Sequence, residues 1–154
     1  MKLLDANILL YAYDASSAHH RACRTWLEQV FNGEETVALP WQSVLAFVRI
    51  ATNPRAVRQP LSGQQACAIV AIWLERPSVA IIGPAERFWE IFREQVIEAQ
   101  VSGPLITDAA LAALALEHGA TLCSTDRDFR RFRDIKLFDP TQAGGVVEPG
   151  PCVG

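Results

Sequence analysis

The chain is organised around the stretch Leu3-Leu4-Asp5-Ala6-Asn7-Ile8-Leu9-Leu10, in which a carboxylate and an amide stand two residues apart in an otherwise apolar run. Residues 2–4 predict a short buried strand that leads into a helix. Asp5 then lies at the carboxyl end of the strand, where open parallel sheets bind their ligands. An ionised carboxylate among leucines is costly unless hydrogen bonds or a cation compensate its charge. Asp5 is therefore either the N-cap of the following helix or part of a charged site, and this stretch alone leaves both interpretations open.

Length and composition favour one compact domain in the cytoplasm. The chain has 154 residues, 50% of them hydrophobic, which suffices for one core and is short for two domains. The net charge of −3 excludes a global basic field, so a polyanion has to be bound locally. The four cysteines are spread singly, which argues against a zinc site or a disulfide framework. The longest apolar run, residues 66–74, is far shorter than the roughly 20 residues that span a bilayer, so we expect no membrane association.

Hydrophobic periodicity predicts strands that alternate with helices. Strands are expected at residues 2–4, 36–39, 79–82, 121–124 and 136–138, and helices at residues 6–13, 18–31, 41–52, 63–74, 85–99 and 109–117, with a turn and a short helix over 125–131. This order predicts an α/β fold, a three-layer α/β/α sandwich around a central, mostly parallel sheet of about five strands. Residues 1–140 form the domain, and the Gly/Pro-rich residues 141–154 a flexible tail.

The predicted helix over residues 63–74 is apolar on nearly every side between residues 66 and 74. A helix of this composition is either enclosed in the core or covered by another subunit, and in a chain this small we favour the partner surface.

Three further aspartates follow apolar stretches like the one before Asp5. Asp108 begins the alanine-rich helix, and Asp126 and Asp128 follow the fourth predicted strand. Parallel strands end at the same edge of a sheet, so we expect these acids to converge. Clustered carboxylates shift toward protonation unless a divalent cation lies among them. Oxygen ligands without a histidine or cysteine set match Mg²⁺ or Mn²⁺, which can activate water and stabilise charge on a phosphate. The pattern therefore indicates nuclease chemistry.

Each of these acids also has a purely structural interpretation. Asp108 lies where a carboxylate interacts favourably with a helix dipole. Thr125 and Asp128 have the spacing of a capping box.

Four polar residues are candidate substrate contacts. Asn7 could orient Asp5 or serve the turn, and the Thr125 hydroxyl could hold a phosphate or cap a helix. Arg49 and Arg55 could contact a nucleic-acid backbone or simply belong to a solvated surface.

Three segments carry a family resemblance: Leu4-Asp5-Ala6-Asn7-Ile8-Leu9, Leu105-Ile106-Thr107-Asp108-Ala109-Ala110-Leu111-Ala112-Ala113-Leu114-Ala115 and Thr121-Leu122-Cys123-Ser124-Thr125-Asp126-Arg127-Asp128-Phe129. In this order they resemble the PIN-domain ribonucleases, above all the VapC toxins of bacterial toxin–antitoxin pairs. The resemblance implies an Mg²⁺-dependent endoribonuclease that hydrolyses RNA phosphodiester bonds and inhibits growth until its cognate antitoxin binds, and it implies a homodimer.

The resemblance also assigns roles to the acids. Asp5, Asp108 and Asp126 match the family's acidic positions and are expected to hold the metal, and Asp128 matches a more variable one. All four are expected to be catalytic.

The sequence departs from the family at one position. The family usually carries a glutamate on the helix after the second strand, three residues before an arginine, and here Ala46 precedes Arg49 at that spacing. A missing ligand would weaken metal binding or leave more water around the ion, which Mg²⁺ tolerates. The alternative function is therefore a catalytically weakened PIN-fold module that binds RNA or protein.

A third interpretation, a phosphotransfer domain with Asp5 as the nucleophile, needs a second aspartate two residues on and a downstream lysine. Asn7 occupies that position and the chain has only Lys2 and Lys136 as lysines, which argues against it.

Overall fold

The computed structural model describes residues 1–142 and the backbone of residues 146 and 147. Its sheet contains β1 (Lys2–Leu4), β2 (Val37–Pro40), β3 (Val79–Ile82), β4 (Thr121–Cys123), β5 (Lys136–Phe138) and β6 (Val146–Val147). The spatial order is β3-β2-β1-β4-β5-β6. The first five strands pair in parallel, and β6 runs antiparallel to β5. The predicted, mostly parallel central sheet is confirmed.

Helices cover both faces of this sheet. They are α1 (Ala6–Tyr13), α2 (His20–Phe31), α3 (Trp41–Ala51), α4 (Gly63–Leu74), α5 (Phe88–Glu98) and α6 (Leu105–Glu117), with a 3₁₀ helix over Arg127–Arg131. Alternate strand residues face opposite sides: Leu4 packs with α1 to α4, whereas Leu3 packs with α5 and α6. The result is the predicted three-layer α/β/α sandwich.

Three helices begin at residues other than those predicted, the first being α2, which begins at His20 rather than at Ala18. α6 begins at Leu105 rather than at Ala109, because Pro104 has a helical φ of −58° and serves as its N-cap. α5 begins at Phe88 rather than at Ala85, because Glu117 accepts hydrogen bonds from the backbone N–H groups of Ala85 and Arg87 and holds this segment out of the helix.

The α4 helix has the predicted bounds, since Ser62 and Gln65 form a reciprocal capping box at its start. Its buried face consists of Ala66, Val70 and Trp73. The opposite face is exposed, with Ile72 54% accessible, so the described residues do not enclose this helix.

No helix in the described part of the chain is long and apolar enough to cross a membrane. The predicted flexible tail over residues 141–154 lies mostly outside the described residues.

Candidate metal centre

The site is built where β1 and β4, which are neighbours in the sheet, come to their carboxyl ends. Leu4 pairs with Cys123 in the last register position of the two strands. The Asp5 N–H donates to the Cys123 carbonyl at 3.0 Å, which fixes Asp5 beside Ser124. Asp5 is also the N-cap of α1, and its Oδ1 accepts from the Ala6 N–H at 2.7 Å. The capping interpretation of Asp5 is thus confirmed, and the cap lies at the sheet edge where the other acids meet.

Ser124 connects the polar residues of this edge. Its hydroxyl donates to Asp5 Oδ2 at 2.7 Å. The same oxygen accepts from Asn7 Nδ2 and from the Asp126 N–H, both at 3.0 Å. Ser124 is only 5% exposed, so these bonds are shielded from water. We did not predict Ser124 as a site residue; the available signal was its place directly after β4, equivalent to that of Asp5 after β1.

Asp126 starts the 3₁₀ helix that follows β4. Its Oδ1 accepts from the Asp128 N–H at 2.8 Å, so Asp126 is the N-cap. The capping box suggested for Thr125 and Asp128 is therefore wrong. Thr125 instead donates its backbone N–H to Asn7 Oδ1 at 3.5 Å, which brings both candidate substrate contacts to the site edge.

Three of the four predicted acids form a tight group. One carboxylate oxygen each from Asp108, Asp126 and Asp128 lie within 4.8 Å of one another. Asp108 is brought there by the first turn of α6, which Gln42 joins to α3 by donating from Nε2 to the Thr107 carbonyl at 3.3 Å. Three hard oxygen donors at this separation fit Mg²⁺ or Mn²⁺. The predicted metal ligands were Asp5, Asp108 and Asp126; the tight group contains Asp128, whereas Asp5 is engaged by Ser124 and Ala6.

Burial and mutual repulsion change the titration of the acids. Burial is the largest cause that raises the pKa of Asp5; hydrogen bonds from Ser124 and Ala6 oppose it, and the charge of Asp126 adds to it. The pKa of Asp108 is raised to about 6, first by burial and then by the charges of Asp5, Asp126 and Asp128. The cation that opposes this shift is Arg131, which binds the Asp128 carboxylate at 2.8 Å. The edge therefore carries more negative charge than its surroundings compensate.

The remaining predicted contacts lie outside this network. Arg49 and Arg55 are exposed, on α3 and in the loop after it, and no hydrogen bond within the described residues joins either to the acids. Ala46 is half-buried on α3 and brings no oxygen to the site, and the next residue, Phe47, is fully buried in the core.

Comparisons with known proteins agree with this architecture. The PIN domain family model matches residues 2–135. Ribonuclease VapC37 of Mycobacterium tuberculosis is 39% identical over 140 residues, which are 91% of this chain and 97% of that protein. The VapBC2 structure from Rickettsia felis, bound to a promoter DNA fragment, has a TM-score of 0.67 at 20% identity over 90% of this chain and 97% of that one. A toxin–antitoxin complex from Klebsiella pneumoniae has a TM-score of 0.59 at 19% identity over 97% and 98%.

A three-layer α/β/α sandwich with acids gathered at the carboxyl ends of β1 and β4 defines a PIN-type protein, and the chain belongs to the PIN-domain family. Within that family it is similar to the VapC ribonucleases of toxin–antitoxin systems.

Proposed function

We propose that this chain is a divalent-metal-dependent endoribonuclease, the toxin of a toxin–antitoxin pair, which hydrolyses RNA phosphodiester bonds and inhibits growth until its antitoxin binds. The observation that carries the proposal is the group formed by Asp108, Asp126 and Asp128, whose carboxylate oxygens lie within 4.8 Å. The relatives named as ribonucleases support the reaction, and the VapBC complex supports an antitoxin partner.

In this proposal, Asp108, Asp126 and Asp128 hold Mg²⁺ or Mn²⁺, and Asp5 supplies a fourth negative charge beside them. When bound, the cation supplies Lewis acidity for in-line displacement at phosphorus and eases deprotonation of water. Asp5 Oδ2 accepts a hydrogen bond from the Ser124 hydroxyl, which leaves the Ser124 oxygen to accept from Asn7 and from the Asp126 N–H. These bonds orient Asp126 toward the edge.

The RNA backbone and the acidic edge of the sheet are both negative, so RNA binding requires positive groups around this edge. Arg131 already pairs with Asp128, and its guanidinium is the right shape for a phosphate. Asn7 and Thr125 at the edge, with Arg49 and Arg55 further out, are the proposed substrate contacts. The two arginines attract the phosphate backbone of the RNA and do not read its sequence.

We further propose that the protein works in the cytoplasm, where its RNA substrate is found, and that it forms a homodimer. The exposed surface of α4 supports the dimer, since Ile72 and Leu74 of this helix are large apolar residues open to solvent.

The test is cleavage of a panel of structured RNAs by the wild type and by Asp5→Asn, with Mg²⁺, with Mn²⁺ and with EDTA, followed by mapping of the fragment ends. Wild type should cut at defined bonds only with metal, and Asp5→Asn should lose at least about 100-fold in rate, as expected when a transition-state interaction is removed. The matched control is Asp134→Asn, the same change at an exposed residue with a φ of 62°, which asparagine tolerates.

Two outcomes would oppose the proposal. Cleavage at the wild-type rate in EDTA would remove the metal-centred mechanism, and cleavage at the wild-type rate in Asp5→Asn would remove the part given to Asp5 in it. RNA that binds and is never cut at millimolar Mg²⁺ or Mn²⁺ would favour the alternative, a binding module weakened by alanine at position 46.

A further inference from the structure

A cleft of about 540 Å³ lies at the other end of α1 from the acids. The end of α1, the loop over residues 52–61 and the first turn of α4 form its walls. Its polar and aromatic lining includes Tyr13, Asp14, Arg58, Gln59 and Gln65. A volume in this range is typical of small-ligand sites in proteins, and the acids of the metal centre do not line it.

One wall of the cleft is an aromatic ring held in place from behind. The Tyr13 ring lies 5.8 Å from the ring of Phe47 and 5.7 Å from that of Trp73. Its hydroxyl accepts from Trp73 Nε1 at 3.2 Å. Tyr13 is nevertheless 38% exposed and lines the cleft. A fixed, half-exposed aromatic ring is the surface on which a planar base can stack with little loss of conformational entropy.

The polar groups beside Tyr13 are positioned and partly unused. Asp14 Oδ1 accepts from the Ser16 N–H at 3.0 Å and from the Ser16 hydroxyl at 2.6 Å, which fixes the carboxylate. Within the described residues, Asp14 Oδ2 has no hydrogen-bond partner and Arg58 makes no ion pair. The loop carries Arg55 and Arg58 and no acidic residue over residues 52–61. The cleft thus offers a fixed acceptor and a free planar cation beside a ring.

We propose that this cleft binds an unpaired base of the RNA substrate, and that guanine fits it best; the inference rests on the proposed ribonuclease function. Proteins recognise single-stranded RNA by stacking splayed bases on aromatic rings and by bonding to their edges. Guanine presents acceptors at O6 and N7 to an arginine, and its N1–H and amino hydrogens can donate to a carboxylate. Arg58 and Asp14 match those two edges.

The distance to the acids sets which nucleotide is bound. Asp5 and Tyr13 are the two ends of α1, eight residues apart, which is about 12 Å along the helix axis. Asn7, Leu10 and the C-cap Asp14 are half-buried and follow one another at spacings of three and four residues, so they lie on one side of α1 between the metal centre and the cleft. The bound base therefore belongs to a nucleotide near the scissile bond, and it selects the site of cleavage without taking part in the reaction.

The first test uses the metal-free protein and does not depend on catalysis. The chain has four tryptophans, and Trp73 reports on the cleft because its indole N–H donates to Tyr13. In ¹⁵N-labelled protein, guanosine 5′-monophosphate should shift the Trp73 indole signal at lower concentration than the adenosine, cytidine and uridine monophosphates. Ribose 5-phosphate should leave the Trp73 signal unmoved. The signal of Trp89, which is 68% exposed on α5, should not move in any of the titrations.

The second test reads cleavage preference on a randomised RNA pool. Asp14→Asn keeps an acceptor for Ser16 but replaces the free carboxylate oxygen by an amide N–H donor, so the enrichment of guanine near the cut should fall about tenfold. Asp134→Asn is the matched control.

The outcomes separate this proposal from the ribonuclease assignment. If the wild type cuts no RNA, the ribonuclease assignment fails while the nucleotide titration still tests base binding. The cleft proposal is overturned if no nucleotide shifts Trp73, if the antitoxin shifts it and no nucleotide does, or if Asp14→Asn cuts with unchanged base preference.

Discussion

The two ends of α1 show opposite ways of bringing distant residues together. At its start, Asp5 joins Asp108, Asp126 and Asp128 in a cluster whose members repel one another and raise the pKa of Asp108. At its end, Tyr13 joins Phe47 and Trp73 in an aromatic cluster, with the rings of Phe47 and Trp73 4.7 Å apart. Charge repulsion within the first cluster opposes folding, whereas ring packing in the second supports it. The acids therefore carry an electrostatic cost that their capping hydrogen bonds offset only in part and that a bound cation would relieve.

The largest expected effect lies at the aromatic cluster. Phe47→Ala should lower the free energy of unfolding by about 3 to 5 kcal/mol, since it leaves a cavity against Trp73 and Tyr13. Urea unfolding measures it. The control is Leu45→Ala on the same helix, where the side chain is 63% exposed and the expected loss is below about 1 kcal/mol. Equal losses in the two variants would show that the cluster does not stabilise the fold.

The second effect lies at the acidic end and concerns activity. Ser124→Ala removes the donor to Asp5 and the acceptor for Asn7 and the Asp126 N–H. We expect RNA cleavage to fall about 10- to 100-fold, the usual cost of losing a group that orients metal ligands.

The matched control for this variant is Ser78→Ala. It removes a half-buried hydroxyl that donates to the Phe31 carbonyl at 2.8 Å, far from the acids in the chain. Its rate per folded molecule should be that of the wild type. A similar rate loss in both variants would contradict the role given to Ser124.

The third effect is a pH dependence of stability in the metal-free protein. Asp108 has an ordinary pKa of 3.8 when unfolded and about 6 when folded, so between these values the folded state binds more protons. Stability should therefore fall as pH rises from about 4 to 6, by roughly 1 to 2 kcal/mol after allowance for solvent screening.

Chemical unfolding in EDTA at a series of pH values measures this dependence, and Asp108→Asn should flatten the part that arises from Asp108. If the stability of the wild type changes with pH across this interval as that of Asp108→Asn does, repulsion among the acids does not destabilise the fold.

The smallest effect concerns Arg131, the cation beside the acids. Arg131→Gln removes the charge that lowers the pKa of Asp108, so that pKa should move further upward. NMR titration of the aspartate carboxyl carbons measures it. A downward movement or none would show that Arg131 does not act on the cluster.

Much of the fold could be predicted because local signals and tertiary structure agree. Ser62 before an apolar run gave the bounds of α4, and residues 2–4 gave β1. The early start of α6 was not predicted, because Gly103 and Pro104 are typical of a loop. Pro104 instead has a helical φ of −58° and is the N-cap, so Leu105 and Ile106 belong to the first turn of the helix.

The candidate site was predictable only in part. Aspartates after apolar stretches stand out because burying them is costly, whereas serine after a strand carries no comparable signal, and Ser124 was missed. Whether Asp5 or Asp128 belongs to the tight group depends on the directions of their side chains. The pairing of β1 with β4 and the N-cap at Asp126 determine these directions. The cleft at Tyr13 depends on contacts between α1, α3 and α4, which periodicity does not reveal.

The central claim is that the acids at the ends of β1 and β4 form one metal site. The most direct measurement is Mn²⁺ binding followed by electron paramagnetic resonance at pH 7.5, in the wild type, in Asp126→Asn and in the control Asp134→Asn. We expect binding in the wild type and the control and a loss of at least about tenfold in affinity in Asp126→Asn. Equal Mn²⁺ affinity in all three proteins would contradict it.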